Sequence, residues 1–196
     1  PQGIAADSTG LYVAQPGFHR VVFFAGTSTT ATRVYGQSGS FTSSTSGSAA
    51  GGLNNPSAVA LDSTGVYICD FGNNRIKYHA GTSTTATRFY GQATNSGTAA
   101  GTSTTRLSDP LSIAVNTNGL YVADNANNRV VYFPHATVTD FNAVATLVYG
   151  QSGNFTLGGV NNGGISANSL SGPWGVAVDA NGVYISDRGN NRILFY

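Results

Sequence analysis

The feature that most constrains this chain is that it says nearly the same thing four times. PQGIAADSTGLYVAQPGFHRVVFF begins at Pro1, PSAVALDSTGVYICDFGNNRIKYH at Pro56, PLSIAVNTNGLYVADNANNRVVYF at Pro110 and PWGVAVDANGVYISDRGNNRILFY at Pro173, at spacings of 55, 54 and 63 residues. A period of this length means one supersecondary unit repeated, each copy burying its apolar surface against its neighbours. Within a unit, alternating Val, Ile, Tyr and Phe, broken by D-x-x-G and G-N-N, reads as three short strands A, B and C joined by tight turns. A fourth strand D follows in the first three units: ATRVYGQ ending at Gln37, ATRFYGQ at Gln92 and ATLVYGQ at Gln151. A Gly/Ser/Thr-rich connection of 17–21 residues then leads to the next proline. No segment carries a helical period.

Four-stranded units repeated at this length fit the blades of a β-propeller. The predicted fold is all-β, a single domain over 1–196 with four blades beginning near residues 1, 56, 110 and 173, strand A innermost and strand D outermost. The rival is a partial arc completed by another chain. The motif G-V-A-V-D-x-x-G-V-Y-I-x-D-x-x-N-N-R-I, clearest in 175–193, 58–76 and 112–130, resembles the NHL repeat, and the Y-G-Q of strand D resembles bacterial NHL proteins. The resemblance covers all four units and implies the propeller. For function it implies only a range, since NHL propellers include lyases, RNA binders and protein-binding scaffolds. The first unit departs from the pattern, with QPGFHR in place of D-x-x-N-N-R.

Three carboxylates sit five residues before an arginine: Asp70 and Arg75, Asp124 and Arg129, Asp187 and Arg192. Across a tight turn such a pair can form a bidentate clip, and the Asn-Asn between them suits positive φ. A need met once per blade reads as structural rather than as a ring of recognition charges. Asp7, Asp62, Asn116 and Asp179 close strand A in the four units. Around a propeller axis they form a candidate ring for a hard cation such as Ca²⁺. Each also starts a turn with Gly at its fourth position, a type I preference, and the turn is the preferred reading.

No catalytic set emerges, and the chain is read as non-enzymatic. His19, His79 and His135 fall at three different repeat positions, none on strand A, so they do not converge as zinc ligands. Cys69 replaces Ala14, Ala123 and Ser186 and reads as a small buried side chain. The charges outside the repeat, Lys77, Arg106, Asp109, Asp140 and Arg188, suggest no acid–base pair. Only 9% of residues are charged and the net charge is +1, which provides no basic field for nucleic acid. No apolar run approaches the roughly 18 residues of a membrane span.

Low charge, abundant small hydroxyl residues and a lone cysteine suit an extracellular or cell-surface protein. Starting at Pro1 without any Met, the chain reads as a mature or trimmed form. Asn154-Phe155-Thr156 is the single N-x-[ST] sequon free of proline, so covalent glycan is expected there. Thr42, Ser43, Ser44 and Thr45 are secondary attachment candidates. The last unit stops after strand C. Arg192, Ile193, Leu194, Phe195 and Tyr196 then form an uncovered apolar edge, a template for another strand. Three explanations stand open: strand D lost from the chain, an edge blunted by a loop or sugar, or a strand from a neighbour. The reading adopted is head-to-tail self-association into a fibre through the first and last blades. The alternatives are a lyase or hydrolase with its site at the propeller mouth, and a glycan- or protein-binding module.

Overall fold

The computed structural model describes residues 1–135 and 143–196. Asp140 therefore lies outside the described residues. The first blade comprises β1 (Ile4–Asp7), β2 (Gly10–Gln15), β3 (Arg20–Ala25) and β4 (Arg33–Tyr35). The second holds β5 (Pro56–Asp62), β6 (Gly65–Asp70), β7 (Arg75–Ala80) and β8 (Arg88–Tyr90), and the third β9 (Pro110–Val115), β10 (Gly119–Asp124), β11 (Arg129–Pro134) and β12 (Leu147–Tyr149). In the fourth, β13 (Pro173–Val178), β14 (Val183–Asp187) and β15 (Arg192–Phe195) make a three-stranded sheet. Every sheet is antiparallel and runs in chain order. Helix among the described residues is confined to single 3₁₀ turns, and no helix is long and apolar enough to cross a membrane. This is a four-bladed β-propeller arrangement whose last blade shows three strands among the described residues.

The core lies between blades rather than within them. Tyr12, Ala14, Val21 and Phe23 on the first blade pack against Val59, Val66 and Ile68 on the second. Tyr67, Cys69, Ile76 and Tyr78 meet Ile113, Leu120 and Val122 on the third, and Tyr121, Ala123 and Val130 meet Val176, Val183 and Ile185 on the fourth. Period-2 alternation makes this work. Each sheet has a leading face turned to the blade before it and a trailing face turned to the blade after it.

The strand positions follow the sequence reading, with one difference. Strand D is only three residues long. It ends at Tyr35, Tyr90 and Tyr149 because the next residue is a glycine at φ +84°, +87° or +82°. A Cβ there would lie 2.8–3.1 Å from the carbonyl oxygen of His19, Asn74 or Asn128. Gly36, Gly91 and Gly150 thus turn the chain out of the sheet at a contact too close for another residue.

Among the described residues, the apolar clusters join the first blade to the second, the second to the third and the third to the fourth. Ile4 is 69% exposed, whereas its counterparts Val59, Ile113 and Val176 are buried. Ile193 is 73% exposed and Phe195 57%, whereas Val21, Ile76 and Val130 are fully buried. The first blade's leading face and the fourth blade's trailing face are both bare.

Candidate functional site

The three Asp–Arg pairs close with Nε···Oδ2 distances of 2.8 Å for Arg75–Asp70, 2.6 Å for Arg129–Asp124 and 2.7 Å for Arg192–Asp187. The pairing is single rather than bidentate. The second carboxylate oxygen instead accepts a backbone N–H from the preceding connection, that of Asn54, Ser108 or Ser171. Asn73, Asn127 and Asn190 each donate a side-chain N–H to the same carboxylate. The following Asn74, Asn128 and Asn191 take φ of +53°, +50° and +52°. The guanidinium then reaches further. Arg75 donates to the carbonyls of Ser48 and Asn95, and Arg129 to those of Ser103, Arg106 and Phe155. Each buried arginine therefore ties its hairpin to the connections on both sides of its blade. Burial pushes the Asp124 carboxyl up to about 6, against the pull of Arg129. In the first blade Arg20 Nε donates to the neutral Gln15 Oε1 at 2.7 Å, so the departure from the motif leaves the geometry and removes the ion pair.

Each member of the strand-A ring commits one side-chain oxygen to its own turn. Oδ1 of Asp7, Asp62, Asn116 and Asp179 accepts the backbone N–H groups of its own turn, at 2.7–2.9 Å for the residue two ahead and 3.0–3.1 Å for the glycine. Among the described residues no three His, Cys, Asp or Glu side chains come together as a metal site.

One constellation departs from the sequence reading, which placed no acid–base pair. His135 Nε2 lies 3.6 Å from Asp62 Oδ2 and 3.0 Å from the Asn116 carbonyl. The Tyr67 hydroxyl donates to the same Oδ2 at 2.9 Å. Burial pushes the Asp62 carboxyl up, but hydrogen bonds from Thr64, Tyr67 and Gly65 outweigh it and hold the group below the usual carboxylate range. Asp62, Asn116 and His135 line a cleft of about 420 Å³ with Leu61, Ser63, Thr64, Val115 and Thr117. Repeat arithmetic aligns equivalent positions. It does not show that His135, just past β11 of the third blade, reaches Asp62 at the A–B turn of the second.

The other histidines stay apart. His19 Nδ1 accepts the Asn55 N–H. His79 is buried, and neither of its ring nitrogens has a hydrogen-bond partner among the described residues. Beside it, Lys77 is buried with Nζ donating to the carbonyls of Ala49, Ala50 and Gly52. Burial holds its pKa down to about 7. Cys69 is fully buried, 2.9 Å from the Pro110 carbonyl, and burial pushes its thiol up to about 12, which leaves it inert as a nucleophile.

Asn154 is exposed, and its Oδ1 accepts both the N–H and the hydroxyl of Thr156 at 2.8 Å. Thr42, Ser44 and Thr45 are exposed and Ser43 is half-buried. The connections that carry them are tied down. Gln37 Nε2 donates to Phe18, His19 and Thr45 carbonyls, and Asn73 to that of Gly47. At the other end of the chain, Ile193 and Phe195 point outward from β15, while Leu194 and Tyr196 pack against the third blade.

A family model for the NHL repeat matches residues 107–133 and 170–195. No curated protein matches the chain in sequence. Several solved structures share its fold. Virginiamycin B lyase from Staphylococcus aureus aligns over 99% of this chain and 54% of its own, with TM-score 0.56 and 14% identity. An auxiliary nutrient binding protein from Bacteroides thetaiotaomicron aligns over 94% and 44%, with TM-score 0.60 and 16% identity. The computationally designed Ika4 protein aligns over 100% and 89%, with TM-score 0.59 and 7% identity. The chain spans about half the length of the lyase. At such identities the likeness concerns fold alone. The repeated motif, the sheet order and the family model agree that this chain carries NHL repeats folded as β-propeller blades.

Proposed function

We propose that the chain is a non-enzymatic extracellular module that assembles head-to-tail through its first and last blades. The observation that carries this reading is the pair of bare faces. Tyr184, Ile193 and Phe195 repeat the positions of Tyr12, Val21 and Phe23, the residues with which the first blade receives the second. Ile4 repeats the position of Val59, which fills that surface. The fourth blade therefore offers the kind of face that a first blade fits, and a second copy of this chain supplies one. Exposed apolar patches of this kind mark association sites. The contact is heterologous, so it builds rings or filaments rather than a two-fold dimer. Sedimentation velocity over a concentration series tests it. Species should appear in multiples of 20.1 kDa, and a constant 20.1 kDa species at up to 100-fold the starting concentration would refute it.

The extracellular part of the reading draws on the low charge, the lone buried cysteine and the sequon. Asn154 stands in solvent with its amide already bonded to the Thr156 hydroxyl, and glycan there would be solvated. Material from a glycosylating host should lose mass on treatment with an N-glycosidase, and Asn154→Gln should abolish that loss. An unchanged mass would remove the glycan from the account.

The cleft between Asp62 and His135 favours a second reading, a site for a small polar ligand or its hydrolysis or elimination at the propeller mouth. Turnover of an ester or lactone panel that His135→Ala abolishes would support it over the assembly module.

A further inference from the structure

We infer that Asn162 is a site of spontaneous covalent modification. Its side chain closes on the backbone nitrogen of Gly163 and ends as aspartate or isoaspartate, while the fold protects the two other Asn-Gly pairs of the chain. The inference concerns the connection between the third and fourth blades. It stands apart from assembly and from the cleft at Asp62.

The sequence holds three Asn-Gly pairs: Asn118-Gly119, Asn162-Gly163 and Asn181-Gly182. A glycine after asparagine favours the reaction, because no Cβ shields the backbone nitrogen. That nitrogen, once its proton has passed to hydroxide, attacks the asparagine Cγ. A new N–Cγ bond forms and the Cγ–Nδ2 bond breaks. Ammonia leaves with a proton from water, and a succinimide ring remains. Water then opens the ring at either carbonyl. One opening gives aspartate. The other gives isoaspartate, with the main chain rerouted through the side chain and one methylene longer. Water is the sole co-reactant, and nothing is oxidised or reduced.

The structure separates the three pairs. Asn118 and Asn181 lie in A–B turns whose N–H groups are committed. Gly119 N donates to Asn116 Oδ1 and Gly182 N to Asp179 Oδ1, both at 3.1 Å. The N–H groups of the two asparagines donate to the same oxygens at 2.9 and 2.8 Å. Both glycines are also walled in. A Cβ on Gly119 would lie 2.4 Å from the Phe133 carbonyl oxygen, and one on Gly182 2.3 Å from that of Tyr196. Cyclisation at either place requires the turn to open first.

Asn162 is placed otherwise. Neither its side chain nor the Gly163 N–H has a hydrogen-bond partner among the described residues. Gly163 and Gly164 are exposed, with φ of +82° and +98°. A Cβ on either would meet nothing within 4 Å. The attacking nitrogen therefore stands in open space with no bond to break. The residue before it is anchored. Asn161 N donates to the Leu170 carbonyl, and the Asn161 side chain exchanges hydrogen bonds with that of Asn190 at 2.8 and 2.7 Å. Asn190 in turn donates to Asp187. A carboxylate at 162 thus adjoins a residue tied to the fourth blade's clip.

The test incubates the intact chain in mildly alkaline buffer at physiological temperature and follows each pair by peptide mapping with mass spectrometry. The peptide bearing residue 162 should gain one mass unit and become a methyl acceptor for an isoaspartyl methyltransferase. Conversion at Asn118 and Asn181 should be at least tenfold slower. The same incubation in denaturing urea should bring the three rates within a few-fold of one another, because the fold is what distinguishes them. Asn162→Gln should abolish methyl acceptance by the folded chain. An Asn162 that stays intact, conversion at Asn118 or Asn181 as fast as at Asn162 in the folded chain, or a ranking that persists in urea would overturn the inference.

Discussion

Replacing Arg129 with alanine should lower the stability of the fold by about 3–5 kcal/mol, the range for breaking a buried ion pair by removing one partner. Arg129 and Asp124 are both fully buried. Three backbone carbonyls from two connections also depend on the guanidinium. Alanine would leave a fully buried carboxylate without its cation and three part-buried carbonyls without this donor. Arg75→Ala should behave alike. Arg192→Ala should cost less, because its side chain is 25% exposed and solvent screens what remains. Arg20→Ala should cost least, since Gln15 carries no charge to strand. Urea denaturation of the four variants checks the order. Equal midpoints for Arg129→Ala and the parent would show that the clips hold nothing together.

The second large effect concerns His79. The other blades place Phe24, Phe133 and Tyr196 at its position, and its ring packs edge-on to Tyr35 at 5.0 Å as Phe133 packs on Tyr90 at 5.3 Å. An imidazole there keeps the aromatic contact but leaves two ring nitrogens without hydrogen bonds among the described residues. His79→Phe should therefore stabilise the fold at pH 7 by about 1–3 kcal/mol, the penalty for a buried polar group without a partner. Acid enlarges the difference. Burial, with Lys77 adding to it, pushes the His79 pKa down to about 3. The unfolded chain takes up this proton near pH 6.5 and the folded chain does not. Stability linked to His79 is then complete above about pH 6.5 and falls as pH drops toward 3. By pH 4 the loss is about 3 kcal/mol. Comparing the two proteins between pH 7 and 4 isolates this group, because Asp124 and the other carboxylates titrate in both. Parallel stability curves would contradict the assignment.

Much of this architecture is legible in the sequence because every blade solves the same local problem. The D-x-x-G turns, the Asn residues at positive φ and the Asp–Arg spacing each depend on residues within six positions of one another. The sequence shows them directly. Other features depend on which blade lies beside which. His135 meets Asp62 only because the third blade lies beside the second, and Lys77 has its carbonyl cradle only because the 38–55 connection folds back over β7. The Ser/Thr-rich connections carry no period in the sequence. Glutamine, asparagine and arginine side chains tie them to the blades, and no local pattern announces this. The bareness of the two end faces is also a long-range property. Its signature, apolar residues at Ile4 and Ile193 where the repeat demands burial, emerges only when exposure is compared position by position.

The account rests on the complementarity of the two bare faces, and one mixing experiment addresses it. Ile4 and Ile193 are both largely exposed, so arginine at either should leave the isolated chain folded. Ile4→Arg spoils the leading face and keeps the trailing one, and Ile193→Arg does the reverse. Each variant alone has lost one half of a heterologous contact and should sediment as a monomer of about 20 kDa. Mixed in equal amounts, they retain one good pair of faces between them and should form a one-to-one dimer that grows no further. A mixture that remains monomeric while the unaltered chain associates would contradict head-to-tail assembly, as would either variant assembling like the parent.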